Sequence, residues 1–280
     1  MLGPPDAAEY RKALESSGKW FLVPSASWQK NPVVVNPGSG ATAAQYSVEE
    51  TDLALDLVRE FGKDWEVRAG YLYHTGNSQL EFGDPLLNPT DSFSESGFST
   101  GVTCDNIDDT AFPADGSYLT ANWFLPSHPS QVGHDEALGI RVDHALRCWG
   151  DDSLVLGAEL DSVLNDQASV QSFFPLGGFL RLSGLPSDAV SGPTAALART
   201  VYLHPLQVRS LKPGLLTWYA GASLELGNVF QEWRDITLEG LHPAGSLFLG
   251  VDTFIGPAYL GIGLIEGGQT SVFLVFGRVF

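Results

Sequence analysis

One stretch of the sequence has the spacing of a serine-hydrolase nucleophile. Gly97, Ser99 and Gly101 match the pattern G-x-S-x-G. In that motif the serine lies on a sharp turn between a strand and a helix, which exposes its hydroxyl. Here the pentapeptide continues into Val102 and Thr103 with a period of two, which is typical of a strand. We therefore predict that Ser99 lies within a strand and that the motif contains no catalytic residue.

Two histidines are further candidates, because a histidine beside a serine can activate the hydroxyl as a nucleophile. His144 falls on an apolar face between Val142 and Leu146, and His74 ends another predicted strand. Neither has an obvious serine partner in register, so no catalytic histidine is predicted. An enzyme with a site of its own is the rival interpretation, and lipase activity lost in Ser99→Ala or His144→Ala would identify it.

A group of acidic residues has the oxygen ligands that Ca²⁺ prefers. Asp105, Asp108 and Asp109 lie close together, but their spacing lacks the regularity of a calcium loop. Asp and Asn also form turns through their own side chains. We predict a turn here, and neither a metal nor another cofactor anywhere in the chain.

Composition restricts the possible partners. The chain has 280 residues, 44% of them hydrophobic, and a formal net charge of −18. Nucleic acids are excluded as partners, because phosphate binding requires a basic face. No run of about eighteen apolar residues is present, so the sequence predicts no membrane-spanning helix.

Alternation with a period of two is the dominant pattern of the chain. In residues 216–227, Trp218, Ala220 and Leu224 alternate with Tyr219 and Gly221. The same pattern closes the chain in residues 245–255, 258–266 and 270–280. Strands with one apolar face and one face of Gly, Ser, Tyr and Asp are typical of outer-membrane barrels, which have lipid outside and a polar lumen inside.

The lengths of the connections agree with this interpretation. About twelve strands can be placed, and in such barrels long loops and short turns alternate between the two ends. The predicted connections 29–44, 75–95, 126–133 and 163–194 fall on one parity, whereas 61–64, 149–152 and 209–215 fall on the other. The connection at 105–116, on the side of the short turns, is the one sizeable exception. The predicted fold class is all-β, an antiparallel transmembrane β-barrel.

Several charged residues fall on the predicted lumenal face, where charges away from bulk water need partners. We predict an ion-pair network among them, formed by Arg141, Asp143, Glu159, Asp161, Arg199, Glu225 and Asp252. Cys104 and Cys148 are predicted to be free, lipid-facing thiols, because strands with one strand between them lie roughly 9–10 Å apart, beyond disulfide reach.

Once these strands are placed, the segment FFPLGGFLRLSGL at residues 173–185 resembles a known motif. It is similar to the long-loop motif of the bacterial surface antigen superfamily, which contains barrel-assembly and two-partner-secretion transporters. The resemblance is closest to the C-terminal barrel of bacterial patatin-like phospholipases, which are fused-barrel (type V) autotransporters. Residues 223–230, 245–253 and 276–280 fit that barrel too.

The resemblance implies a long loop folded into the lumen, with a tip that docks on an acidic strand. The family's tip is an Arg-Gly-aromatic triplet, and the matching positions here are Ser183, Gly184 and Leu185, without the arginine. Arg181, two residues earlier, is the candidate substitute. The loop motif also includes Gly177 and Gly178, and the implied insertion signal at the end of the last strand consists of Phe276, Gly277 and Phe280.

The resemblance also implies domain organisation. Residues 1–17 are interpreted as an N-terminal lead and residues 18–280 as the barrel domain. Barrels of this family have about sixteen strands, so the first four are either missing here or absent from this member. Residues 1–10 have neither the basic start nor the apolar core of a signal peptide, so we expect either a fragment of a longer protein or a mature chain without its leader.

The predicted function is that of a translocator and anchor in the Gram-negative outer membrane. Its passenger would be an N-terminal patatin-like lipase domain absent from this chain, and the barrel itself would perform no chemistry. The implied partners are outer-membrane lipids, the barrel-assembly machinery and the chain's own passenger. The alternatives are an outer-membrane enzyme, such as a phospholipase with its own site, or a passive pore.

Overall fold

The structure is a computed structural model that describes residues 8–16, 18–35, 44–83, 92–128, 134–165, 168–206 and 217–280. Parts of the connections predicted at 29–44, 75–95, 126–133 and 209–215 lie outside these residues. In the described ranges, no helix has the length and apolar character needed to cross a membrane.

Sixteen strands belong to one sheet. In chain order they are β1 (Ala8–Glu9), β2 (Lys12–Ala13), β3 (Trp20–Val35), β4 (Ala44–Phe61), β5 (Trp65–Gly83), β6 (Ser92–Asp105), β7 (Gly116–Pro126), β8 (Ala137–Arg147), β9 (Ser153–Val163), β10 (Phe174–Leu176), β11 (Val190–Gly192), β12 (Thr194–Leu206), β13 (Thr217–Phe230), β14 (His242–Asp252), β15 (Ala258–Ile265) and β16 (Thr270–Phe276). Three short 3₁₀ helices complete the described elements, at Val170–Ser172, Trp233–Asp235 and Leu238–Gly240.

The twelve long strands pair antiparallel in the order β3–β9 and then β12–β16. This confirms the predicted all-β antiparallel fold and the count of about twelve strands. The connections at 62–64, 106–115, 148–152 and 253–257 lie at one end of the strands, here called the turn end, and the opposite end is called the loop end. Within the described residues, β3 and β16 are not paired with each other, so hydrogen bonds do not close the sheet.

The first strands are longer than predicted. β4 begins at Ala44 and β5 continues to Gly83, although the sequence predicted strands only over residues 51–59 and from 65 to about 74. At the loop end Tyr46 and Val48 pack with Val33 in a small cluster of their own. Residues 75–83 carry polar groups on both faces, so alternation is lost even though pairing continues.

The two faces of the sheet differ in polarity. On the outer face of β13–β16, large apolar side chains are half to three-quarters exposed, among them Leu224 at 75%, Leu260 at 55% and Leu274 at 66%. On the inner face, residues from strands far apart in the sequence meet in one buried cluster, which includes Leu180, Phe248 and Tyr259. The sheet therefore curls around an interior. Both cysteines are free as predicted, and Cys104 lies in the outward row of β6 opposite Trp65, although it is only 9% exposed.

A short hairpin precedes β3. β1 and β2 pair antiparallel with β3 at its turn end, and the Leu14 amide donates to the Trp20 carbonyl at 2.9 Å. Glu9 and Arg11 reach side chains of the barrel wall, since Arg68 donates to Glu9 at 2.7 Å and Arg11 donates to Glu66 at 2.8 Å. Residues 8–13, within the predicted N-terminal lead, thus extend the sheet beyond β3.

Candidate functional site

The long connection between β9 and β12 folds into the interior, as the resemblance implied. It begins its innermost turn at Gly177 and Gly178, whose φ angles are 132° and 103°. Only glycine adopts such angles readily. A Cβ on Gly177 would lie 2.4 Å from the Pro186 carbonyl oxygen, so the two arms of the loop also pass too close for a side chain.

The tip of the loop docks on an acidic residue of β13. The Ser183 amide donates to Glu225 Oε2 at 2.7 Å, and the Ser183 hydroxyl donates to Oε1 at 2.5 Å. Ser223 donates to the same Oε1 at 2.5 Å, and Leu180 donates its amide to the Ser183 hydroxyl at 3.0 Å. Ser183 is fully buried and Glu225 is 2% exposed, so these bonds form away from water, where each contributes most.

Beside this contact the loop lies directly against β15 and β16. A Cβ on Gly184 would lie 2.2 Å from the Ile265 amide nitrogen, and one on Gly263 would lie 2.0 Å from the Ser183 carbonyl oxygen. Ser271 of β16 donates to the Gly184 carbonyl at 2.9 Å. Small residues on both surfaces therefore permit backbone-to-backbone approach of the loop and the wall.

Arg181 does not take the place of the missing tip arginine at Glu225. Its guanidinium donates to Glu159 of β9 at 2.6 Å and to the Pro175 carbonyl at 3.2 Å. Leu185, at the aromatic position of the family's triplet, packs in a cluster that includes Leu176 and Leu182. Ser183 thus attaches the loop to β13, and Arg181 attaches it to β9.

Three of the other charged residues predicted for the lumen, Arg141, Asp143 and Arg199, form an ion-pair network. Arg199 and Arg141 both donate to Asp143, each at 2.7 Å, and Asp143 is 1% exposed. The Asp161 carboxyl is in contact with that of Glu159. Asp252 is different: it lies exposed at the turn end of β14.

At the turn end, the acidic turn also folds inward. The Phe112 ring stacks on Tyr219 with centroids 4.0 Å apart, and the Tyr259 hydroxyl donates to the Ala111 carbonyl at 2.6 Å. The loop tip meets this turn in the same cluster, where Phe179 packs on Phe248 at 5.0 Å. The interior next to β12–β16 is therefore filled from both ends.

The acidic residues of this turn accept hydrogen bonds from its own backbone. Asp109 accepts from the amides of Ala111 and Phe112, and Asp108 accepts from those of Ala114 and Asp115. This agrees with the predicted Asp turn chemistry. In the part of the chain that the structure describes, no three His, Cys, Asp or Glu side chains converge as metal ligands would.

The end of the chain departs from the predicted closing strand. β16 stops at Phe276, which is 73% exposed on the outer face, and Gly277 redirects the chain with a φ of 107°. Phe280 lies inside, with its ring 5.5 Å from the Arg199 guanidinium carbon. Strand pairing to Phe280 was therefore the wrong expectation, because the positive φ at Gly277 ends the strand. The role of these residues in insertion stays a prediction.

The interior next to β3–β8 is hollow. A cavity of about 400 Å³ lies there, lined by hydroxyl, amide and charged groups, including Ser27, Ser99, Thr120, Asn122 and Arg141. Arg68 lines this cavity and pairs with two other lining residues, Asp56 at 3.3 Å and Glu9 at 2.7 Å.

The candidate catalytic residues fall in different environments. Ser99 lies within β6, as predicted, and its hydroxyl points towards Asp56 at 3.5 Å. His74 is buried in the interior, where its Nδ1 contacts Asp52. The expectation that His144 has no serine in register was wrong. Ser117 is its cross-strand neighbour, and the hydroxyl lies 2.8 Å from Nδ1 on the exposed surface.

Sequence reasoning missed three parts of this site. Ser183 was not predicted as the docking group, because the family's tip carries an arginine and Arg181 was the nearest charged substitute. The inward turn at Phe112 was missed because it depends on long-range aromatic contacts. Small inward residues of β15, Gly261 and Gly263, were visible in the sequence and could have indicated the surface on which the loop lies.

No family model matches the sequence, and neither does any curated protein. Among solved structures, the chain is similar to BamA from Haemophilus ducreyi lacking POTRA domains 1–3, with a TM-score of 0.68 and 12% identity over 95% of this chain and 60% of that one. It is also similar to CdiB from Escherichia coli (TM-score 0.60, 14% identity, 93% of this chain and 49% of that one). A third similar structure is CdiB from Acinetobacter baumannii, with a TM-score of 0.55 and 14% identity over 91% of this chain and 46% of that one.

These similarities show that the chain has the β-barrel fold of those proteins. At 12–14% identity they show the fold alone. The chain spans between 46% and 60% of the length of the structures it matches.

Proposed function

We propose that this chain is an outer-membrane β-barrel that serves as translocator and anchor for an N-terminal passenger, a patatin-like lipase domain. The observation that carries the proposal is the docked loop, which is fixed to Glu225 on one side of the interior. It leaves a polar, hollow region on the other side. Such an arrangement suits a protein that passes or holds a polypeptide, because a fixed loop can define the path without blocking the whole lumen.

The membrane location is supported by the outer face. Exposed leucine, isoleucine and valine side chains follow one another across β13–β16, an arrangement that in water would be an aggregation hazard. In a bilayer the same belt is buried in lipid. Outer-membrane lipids are therefore the proposed surroundings, and barrel-assembly machinery is the proposed insertion partner.

The superfamily assignment has two supports. The motif at residues 173–185 resembles the long loop of barrel-assembly and two-partner-secretion transporters. The fold is similar to that of BamA and CdiB structures. The patatin-like passenger rests on the sequence resemblance.

The test is surface delivery of the passenger in a Gram-negative host. The full-length protein would carry an epitope tag on its passenger, and protease accessibility of the tag on intact cells would be measured. We expect delivery by the unmodified barrel and strongly reduced delivery by Glu225→Ala, with both proteins heat-modifiable in the outer-membrane fraction. Leu264→Ala, on the exposed outer face of β15, is the matched control. A chain recovered only outside the membrane fraction would refute the proposal.

A passive pore is the second candidate, favoured by the cavity of about 400 Å³ with its polar wall. Planar bilayer recordings distinguish the two functions. Steady, open conductance without a passenger indicates a pore, whereas small or flickering conductance agrees with a lumen filled on one side.

An enzyme with its own site is favoured only by the Ser117–His144 contact. Lipase activity of this chain that disappears in Ser117→Ala and His144→Ala would support it. Equal hydrolysis by the unmodified chain and by both variants would show that Ser117 and His144 are not responsible for the activity.

A further inference from the structure

A second cavity, of about 310 Å³, lies between the long loop and the barrel wall. The wall contributes Glu50 and Asp52 from β4 and Glu159 and Asp161 from β9, and the loop contributes Asp188. The cavity is thus enclosed by parts of the chain that meet only when the loop is folded inside.

The charges around this cavity are strongly unbalanced. Five carboxylates line it, against one cationic side chain among the described residues of its wall, Arg181. That guanidinium is already paired with Glu159 at 2.6 Å. Carboxylates in a partly enclosed space repel one another and attract cations from solution.

The carboxylates have capacity for further donors. Glu50 accepts from Gln29 at 2.7 Å, and Asp52 accepts from Ser27 at 3.2 Å and contacts His74. An ionised carboxylate offers about four acceptor positions. These contacts therefore leave room for a ligand that donates hydrogen bonds.

Gln171 is an independent sign of an absent donor. It lines the same cavity and is 7% exposed, and its Oε1 has no hydrogen-bond partner among the described residues. Buried acceptors are rarely left unpaired in native proteins, so an orphan oxygen beside a cavity indicates a missing partner.

The shape and the apolar part of the wall define the ligand further. Phe173, Phe174 and Pro175 of the loop line the cavity together with Val33 and Val48 of the wall. In the described part of the chain no three acidic or histidine side chains converge on one point, so the acids surround a space rather than a single ion. The volume is near the lower limit of about 300 Å³ for small-molecule sites.

We propose that this cavity binds a small aliphatic polyamine. The ammonium groups would donate to the carboxylates and to Gln171, and the methylene segments would contact the phenylalanines. Because the ligand would bridge β4, β9 and the loop, binding would stabilise the docked position of the loop. The proposal does not depend on the nature of the passenger.

The test is isothermal titration of the detergent-refolded chain with spermidine. The non-specific attraction of an acidic protein is controlled by two double variants that remove the same charge. Glu50→Gln with Asp52→Asn alters the cavity, and Glu239→Gln with Glu266→Gln alters the exposed loop end. We expect affinity to fall by about tenfold or more in the cavity variant and by less than about twofold in the control.

Gln171→Leu keeps the charge unchanged and provides a second variant. We expect it to weaken spermidine binding by several-fold while the heat-modifiable band shows an unaltered fold. Equal losses in both double variants, or no binding by the unmodified chain, would overturn the proposal. So would displacement of spermidine by equimolar Ca²⁺ or Mg²⁺, because a divalent-ion site would then explain the charges.

Discussion

The interior has two sides that differ in what occupies them. Next to β12–β16 the loop tip, the acidic turn and the last residues of the chain meet in a single buried cluster. Next to β3–β8 there is a cavity of about 400 Å³ with a wall of serine, threonine, asparagine and charged groups. The first side is packed like the core of a soluble domain, and the second contains an unfilled cavity whose wall carries polar and apolar side chains.

The difference is explained by the inward residues of the strands. Gly263 and Ser223 face the filled side and are small enough for another backbone to lie against them. On the hollow side Arg68 and Asp56 face the interior, and their charges retain water unless partners surround them. The size and charge of the inward residues of a strand thus determine whether the loop can pack against it.

The largest expected effect is at the centre of the filled side. Phe112→Ala removes the ring that stacks on Tyr219 and packs at an angle against Tyr259. Deleting a buried phenylalanine side chain costs about 3–5 kcal/mol, and we expect a loss of this size in the free energy of unfolding. Urea titration of the refolded chain measures it. Trp149→Ala, at the same end but 75% exposed, should change stability by less than about 0.5 kcal/mol.

An unchanged unfolding midpoint in Phe112→Ala would mean that the turn does not contribute to the core. The filled side and the hollow side would then contribute equally to the free energy of unfolding.

The docking of the loop gives the next effect. Glu225→Ala leaves the buried amide and hydroxyl of Ser183 without an acceptor. Hydrogen bonds to a charged group contribute about 1.5–3 kcal/mol, so we expect destabilisation of about 3 kcal/mol together with faster proteolysis of the loop. Glu225→Gln, which keeps one acceptor oxygen, should lose less. If the alanine variant is cleaved no faster than the unmodified chain, then Ser183 does not fix the loop.

The fold was largely predictable because alternation is a local property. In β13, Leu224 points outward and its neighbours Ser223 and Glu225 point inward, which is a period of two. From this pattern the strands and their antiparallel neighbours could be predicted. The loop end of β5 was not predictable, since polar residues occupy both faces over residues 75–83 and the pattern disappears. That part of the strand was instead fixed by its pairing with β4 and β6.

The candidate site was predictable only in part. The inward position of the loop was implied by the resemblance of residues 173–185 to a known long-loop motif. Which residue docks was not predictable, because the Ser183 contact depends on where the backbone of a distant strand lies. A charged side chain such as Arg181 reaches several acids, and only the folded chain selects Glu159.

A matched pair of small-to-large substitutions compares the two sides directly. Gly263→Ala places a methyl group on the Ser183 carbonyl, and overpacking of this kind costs about 1–3 kcal/mol. Ser99→Thr keeps the hydroxyl, adds one methyl group to the wall of the cavity and should change stability by about 0.5 kcal/mol or less. Both are measured by urea titration, and equal losses would show that the cavity side is as tightly packed as the other.

The smallest expected effect is at the turn end, outside the packed cluster. The Tyr202 hydroxyl donates to Asp152, the His204 Nδ1 lies 2.6 Å from it, and these contacts hold the pKa of Asp152 below its ordinary value. Because the folded pKa is lower than the unfolded value of about 3.9, the stabilisation is complete above about pH 4. It is lost as the pH falls through the folded pKa.

Asp152→Asn should therefore slightly reduce the unfolding midpoint at neutral pH and have no effect below the folded pKa. Asp151→Asn, in the same exposed turn, is the control. The carboxyl lies in a surface turn, where ion pairs and hydrogen bonds contribute little, so the difference should be far smaller than that of Phe112→Ala. A loss as large as that of the phenylalanine variant, present at neutral pH and absent below the folded pKa, would show that the turn end depends on its charges as much as on its packed rings.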